Sequence, residues 1–563
     1  MPMLPYLSTD DPDDLPAVPP VVLALLARWL QPLLAWLSTH LDRALLVRCR
    51  THPLVRLAQT YDPAAVVDAC AAYHHSAGPG APPSYPAALL VRAEIVRVWA
   101  GGCSDPALEQ LLASDLVARW FVGLPLLGPT PDHSTLNRFH AWLTLHQPRA
   151  LFADVLAFLD RVDPEDPATT PQIVDTFALH SAAAPTSVAL VLRGLCRQVV
   201  DLWQQQAPTA VQHALAAVDL ATVPLKPAQR TTAGHRAHLQ QAIALATTLQ
   251  QALPPHLPVL DPVLRDAVQG LLGLLAKVLA DETTTDAAGQ VVERPTKAKG
   301  HYRLASAVDV DATFRKHDDD LAFGYNAAIA TTTTRIRAAV MPTGSTPDSE
   351  TPIALLTQQR DAGFPLPPDL VMDQAGGWGK TRARVEAVSD GQTVMVALIP
   401  LSGGADVMRF TPADFEVSAD GKSCRCPNGV ESTQAYASGE GDGVQFRFTA
   451  KQCEGCPLWQ HCRSADSKAS SHRTVYASPY QQHLRRAAAF NRTDEGKELL
   501  KQRWQVEPTV AWLVRYDGCR RARRVGQAAA QCQLYQACAG RNLWRYLARA
   551  TRRRAPAAGE VCA

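Results

Sequence analysis

Two short apolar runs, Ile173-Val174-Asp175-Thr176-Phe177 and Leu370-Val371-Met372-Asp373, each carry one carboxylate inside or at the end of a stretch that reads as a buried strand. A carboxylate in a buried strand is costly unless it is paired, hydrogen-bonded or bound to metal. Two such runs demand a sheet, and they suggest one shared site for both acids. The order of the neighbouring segments agrees. A strand at 172–179 is followed by long helical stretches over 186–282, strand-like runs at 323–331 and 335–341, and a helix at 352–360. The second acid-bearing strand, a helix at 380–387 and a strand at 394–400 complete the series. This predicts an α/β fold: a mixed-sheet core interrupted by insertions, behind a helical N-terminal domain. In open α/β sheets, chemistry gathers at the carboxyl ends of strands.

Composition narrows the class. The chain has 563 residues, enough for about three or four domains. Its 55 basic and 53 acidic side chains leave a net charge of +2, which excludes a uniformly charged protein but not a local patch. Of 13 cysteines, five fall between Cys424 and Cys462 and the rest are scattered, unlike a small secreted disulfide framework. That usage suits a reducing cytoplasm. The first twenty residues are acidic and Pro-rich, the opposite of a signal-peptide start. The very apolar stretch 21–37 is interrupted by Arg28, Gln31 and Pro32. It reads as a buried or dimerising helix, and no membrane partner is expected.

The expected organisation is a disordered tail at 1–20, a helical domain at 21–160, and a core split between 161–185 and 300–403. A helical insertion at 186–299, a cysteine-rich insertion at 404–475, a basic helical part of the core at 476–554 and a tail at 555–563 make up the rest. Helix starts at Ser104-Asp105-Pro106 and Pro131-Asp132-His133 fit a helix-turn-helix DNA reader, and equally a plain helical bundle.

A third carboxylate, Glu507, heads the basic C-terminal region. Asp175, Asp373 and Glu507, drawn from two strands and a helix, can together hold a pair of Mg²⁺ ions for phosphoryl transfer. The plainer reading is that a buried Asp caps a turn or pairs with an Arg, and that Arg503, one turn from Glu507, merely pairs with it. Pro508 marks either a kink or a helix start. Asp309 and Asp311 precede their strand and read as structural.

Cys426, Cys453, Cys456 and Cys462 have the spacing of a structural zinc site, with Cys424 as the spare and His461 or His472 as alternative ligands. From Lys497 to Arg554 there are 14 basic against three acidic residues. Arg503, Arg515, Arg520, Arg521, Arg523 and Arg524 are the expected DNA-phosphate contacts. The interleaved Trp504, Trp512, Tyr516, Trp544 and Tyr546 read mostly as core, with one available to stack on a base.

The assembled pattern resembles a DDE transposase of a bacterial insertion sequence, of the branch with a helical N-terminal domain and a cysteine-bearing insertion. The resemblance spans roughly residues 85–550. It is carried by Leu90-Val91-Arg92-Ala93, Trp99-Ala100-Gly101-Gly102-Cys103-Ser104-Asp105, Arg119-Trp120-Phe121-Val122-Gly123-Leu124 and Pro131-Asp132-His133-Ser134-Thr135-Leu136. Further along come Val174-Asp175-Thr176, Asp309-Val310-Asp311-Ala312, Phe323-Gly324-Tyr325, Asp373, Val506-Glu507, Arg520-Arg521-Ala522-Arg523 and Arg541-Asn542-Leu543. The pattern departs after the second acid, at Gln374-Ala375-Gly376-Gly377-Trp378, and at Asn326, where a basic residue is common.

The resemblance implies a ribonuclease H-like core with Asp175, Asp373 and Glu507 as its catalytic acids and two Mg²⁺ ions as cofactors. Water would cut the transposon ends, and the freed 3′-OH would attack target DNA. The implied partners are terminal inverted repeats, target DNA and a second copy in a homodimer, at the nucleoid of a bacterial cytoplasm. The alternatives are a transposase-derived DNA-binding protein without catalysis and a metal-dependent DNA nuclease.

Overall fold

The computed structural model describes residue 36, residues 39–40 and residues 42–554, apart from 76–84, 126–127, seven positions between 288 and 302, 318–319, 401–409, 419, 438–442, 464–466 and 469. The expected tails at 1–20 and 555–563, and nearly all of the apolar stretch 21–37, lie outside the described residues. The chain forms two compact units: residues 1–96 with 105–139, and residues 97–104 with 140–563.

The first unit is helical. It holds most of α1 (Ala87–Trp99), α2 (Asp105–Ser114), α3 (Leu116–Val122) and the start of α4 (His133–His146). Asp115 caps α3 by accepting the Val117 and Ala118 N–H groups at 2.8 Å each, which satisfies two otherwise orphaned donors. Gly123, at φ 87°, ends α3 in the left-handed region. Buried Arg119 donates to the carbonyls of Leu112, Pro125 and Gly128 and to Thr130 Oγ1, so it braces the loop after α3.

The second unit is built on a six-stranded mixed sheet: β1 (Gln172–His180), β2 (Thr313–His317), β3 (Asp320–Thr331), β4 (Ile336–Val340), β5 (Asp369–Val371) and β6 (Val394–Val396). The order is β2-β3-β1-β5-β6, with β4 pairing the second half of β3. Strands β1 to β4 pair antiparallel, whereas β5 and β6 run parallel to β1.

The two-residue side-chain period sorts the faces. Val174, Ala328, Ala330, Ala338, Leu370 and Met372 face one core with Leu355 and Leu356 of α9 (Thr351–Asp361) and Val385 of α10 (Gly379–Val388). Further along the chain, Gln527–Arg554 (here α12, with α11 the helix Glu507–Arg515) packs on β3 and β4. Asn542, fully buried on α12, accepts the Ile336 N–H at 2.7 Å and donates to its carbonyl at 2.9 Å. Gly324 sits at φ 153°, and a Cβ there would lie 2.1 Å from the Leu179 carbonyl oxygen, so β3 approaches β1 only with glycine at this point.

Three readings shift. The helix α5 (Ala150–Val162), expected in the N-terminal domain, belongs to the second unit and packs on α12. Thr313–His317 is a strand that its polar sequence hid. Residues 281–299, read as a loop, contain a small antiparallel hairpin of Thr283–Thr285 and Val291–Glu293. The insertion between β1 and β2 packs α6 (Val188–Gln206), α7 (Thr232–Ala252) and α8 (Pro262–Glu282) around a core that includes Trp203 at 0% exposure. The cysteine-rich insertion forms two small three-stranded sheets around Phe415, Phe446, Phe448 and Val475.

Candidate active site

The parallel pairing of β1 and β5 sets Ile173 opposite Val371. Asp175 lies two residues further along β1, whereas Asp373, expected to end its strand, comes two residues after β5 stops at Val371. Asp175 accepts the Thr176 N–H at 2.8 Å. Asp373 caps the turn Gln374–Gly377 by accepting the Ala375 N–H at 3.0 Å. Glu507 opens α11 directly after the 3₁₀ turn Gln502–Val506, which packs on β1 with Val506 fully buried. Pro508 sits in the first turn, so this is a helix start and not a kink.

Electrostatics tie the three acids together. Burial raises the Asp175 pKa above the usual carboxylate range, and the charges of Asp373 and Glu507 add to the rise. The Thr176 N–H and the Arg503 guanidinium oppose it. Arg503 Nη2 lies 3.2 Å from Glu507 Oε1. Among the described residues no three His, Cys, Asp or Glu side chains converge to metal-ligand geometry.

Two segments match known families. Residues 425–547 match the Transposase DDE domain, and residues 43–141 match the family described as Transposase domain (DUF772). Both matched segments are thus similar to transposase domains, which is consistent with a DDE transposase of an insertion sequence. The first match includes Glu507 and the cysteine-rich insertion but stops short of Asp175 and Asp373. Searches of curated proteins and of solved structures found no match. Among the described residues no helix is long and apolar enough to cross a membrane.

The basic C-terminal region of the chain divides in two. Arg515, Arg520 and Arg521 are exposed, while Arg503, Arg523 and Arg524 are half-buried. The segment carrying Arg520 and Arg521 is strapped to the end of β1: His180 N–H donates to the Arg520 carbonyl at 3.1 Å and Ala522 N–H to the His180 carbonyl at 2.7 Å. Other arginines turn inward. Arg541 makes a two-point ion pair with buried Asp517, at 2.7 and 2.5 Å, and stacks 4.4 Å from the Trp512 ring centroid. Arg549 bonds Asp163 Oδ2 at 2.8 Å, and Arg545 bonds the Thr333 carbonyl. The side chains of Arg552, Arg553 and Arg554 lie outside the described residues.

The aromatics also depart from expectation. Trp504, Trp512 and Tyr516 are 62%, 47% and 57% exposed, so most of the set is not core. Sequence reasoning missed Arg315, which donates to Thr176 Oγ1 at 3.0 Å and pairs with Asp348 at 3.3 Å beside the first acid. It also missed Trp378, exposed five residues after Asp373. A large apolar residue in a Gly-rich turn was the available signal. Asp309 is structural: it accepts Ser181 Oγ at 2.5 Å, Tyr325 OH at 2.6 Å and the Gly526 N–H at 3.2 Å. Asp311 accepts the Gln527 N–H at 3.0 Å and so caps α12.

In the cysteine-rich insertion, Cys426, Cys453 and Cys462 pack against one small core. Burial raises the Cys462 thiol pKa, with Cys453 and Cys426 adding to the rise against Arg473 and Arg463. Cys426 and Cys453 each head a tight turn, closed by Gly429 N–H to the Cys426 carbonyl at 2.9 Å and Cys456 N–H to the Cys453 carbonyl at 3.3 Å. Cys424 is fully buried in the apolar core, with its thiol pushed up to about 11 by burial.

Proposed function

We propose that this transposase cuts the ends of its insertion sequence and joins the freed 3′-OH to target DNA by two-metal phosphoryl transfer. One observation carries the reading: Asp175 stands on β1, Asp373 follows the end of its parallel neighbour β5, and Glu507 heads a helix whose leading turn packs on β1, with the charges of Asp373 and Glu507 both acting on Asp175. The sheet order, three antiparallel neighbours followed by two parallel strands, supports a ribonuclease H-like core. The donor set is all carboxylate oxygen, which suits Mg²⁺. Mg²⁺ held by Asp175 and Asp373, with Glu507 completing a second site, would stabilise both attacking and leaving oxygens.

The protein's own groups do the rest. Exposed Arg515, Arg520 and Arg521 grip the phosphate backbone, and because the last two are tied to β1 they hold DNA in fixed register with the first acid. Arg523 and Arg524 border the same segment. Cys426, Cys453, Cys456 and Cys462 are assigned to a structural Zn²⁺, which would stabilise an insertion with little core of its own. Two transposon ends must be held together, which calls for a homodimer acting on terminal inverted repeats at the nucleoid of the cytoplasm.

The test is incubation of labelled DNA carrying the element's own ends with Mg²⁺ and either wild type or Asp373→Ala. Cleavage and strand-transfer products in the wild type should fall by roughly 10²–10³-fold or more in the variant. End binding without cleavage, in Mn²⁺ as well as Mg²⁺, would favour the DNA-binding reading instead. Cleavage without joining would leave a nuclease.

A further inference from the structure

Arg503 lies among the acids it was expected to leave for DNA. Its Nη2 is 3.2 Å from Glu507 Oε1, and its charge also acts on the Asp175 carboxyl. An exposed ion pair one helical turn apart is usually worth little. This one differs in where it is anchored. Arg503 belongs to the 3₁₀ turn Gln502–Val506, which packs on β1, and fully buried Val506 pins that turn to the sheet. The guanidinium is therefore held beside Glu507 and near Asp175, whose carboxyl also feels the charge of Asp373. Like charges so placed destabilise one another unless a positive charge intervenes.

We propose that Arg503 is the resident counter-cation of Glu507 and Asp175, and that a divalent cation must displace its guanidinium in order to bind these two acids and Asp373. This rests on the reading of those three acids as one metal-binding set. Arg503 is thus a positioning residue. Once displaced, its planar fork is free for a DNA phosphate, which it can grip with two parallel hydrogen bonds. Phosphate that draws Arg503 away from Glu507 then tightens the metal site, and by linkage metal tightens the phosphate contact.

The experiment is a titration of the full chain with Mn²⁺ in the absence of DNA, following free Mn²⁺ by electron paramagnetic resonance. Arg503→Gln should bind Mn²⁺ about fivefold more tightly than wild type, the size of one half-exposed ion pair. Arg503→Lys, which keeps the charge, should stay within about twofold of wild type. Lys501→Gln removes the same charge two residues away, from a side chain paired with Glu498 at 3.3 Å, and should also stay within about twofold. Melting should report the same order, with Mg²⁺ raising Tm more in Arg503→Gln than in wild type. Equal affinity in Arg503→Gln and wild type would overturn the proposal, as would an equal gain in Lys501→Gln. Asp175→Asn separates the levels. If it weakens Mn²⁺ binding while Arg503→Gln changes nothing, only the Arg503 proposal fails. If Mn²⁺ binding ignores Asp175→Asn, the metal-binding set itself fails and the proposal with it.

Discussion

Asp309 and Asp175 are both acids of the sheet region, and their partners separate them. Asp309 is 1% exposed and receives hydrogen bonds from Ser181, Tyr325 and Gly526. Asp175 receives one from its own neighbour and faces two other carboxylates. A fully satisfied acid braces the fold, whereas an under-satisfied one beside like charges is a candidate for chemistry. Asp309→Ala should therefore destabilise the protein by about 3–5 kcal/mol in urea unfolding, because it strands buried donors. The legible part was the type of residue. What the sequence hid was which buried acid already had its partners. His180 carries a pH signature of its own. Burial lowers its pKa, helped by Arg521 and Arg520, so the folded state binds its proton later than the unfolded chain does. Its contribution to stability is present above the unfolded value of about 6.5 and is lost as pH falls through that value toward the folded pKa. Urea midpoints measured from pH 7.5 to 5 should fall in wild type and fall less in His180→Gln.

At the scale of elements, strands with apolar alternation were readable and polar ones were not. β1, β3 and β4 lie where the sequence placed them, while β5 stops at Val371, two residues before Asp373, and β6 stops at Val396. Thr313–His317 escaped because Arg315 and Lys316 break its pattern, and an edge strand tolerates charge where a central one does not. The cysteine-rich insertion is an element with a small core, and its sheets are only two to five residues long. Such a core holds together poorly without a cross-link. Strong chelation of Zn²⁺, or Cys453→Ser, should open residues 404–475 to limited proteolysis while the sheet of β1–β6 stays resistant. Equal protection with and without chelator would remove the zinc assignment. The order of elements was legible, but the pairing of β1 with both β3 and β5 was not, because strand neighbours far apart in the chain leave no local mark.

Across the whole molecule, charge was legible as a sum and not as a surface. The C-terminal region is strongly basic, yet Arg541, Arg545 and Arg549 spend their charge inside the second unit. Arg520→Ala and Arg521→Ala should each lower the slope of log K against log salt for DNA binding by about 1. Arg541→Ala should leave that slope alone and destabilise the protein by about 3–5 kcal/mol, since it abandons buried Asp517. By itself the sequence determined the α/β class and the helical N-terminal region, and it singled out the three acids and the cysteine cluster as candidates, because hydrophobic period, capping residues and ligand spacing are local properties. Only the tertiary structure decided that β5 pairs parallel to β1, that the charges of Asp373, Glu507 and Arg503 all act on Asp175, and which arginines face solvent. Those are relations between segments hundreds of residues apart, and strand register and burial are settled when the core packs.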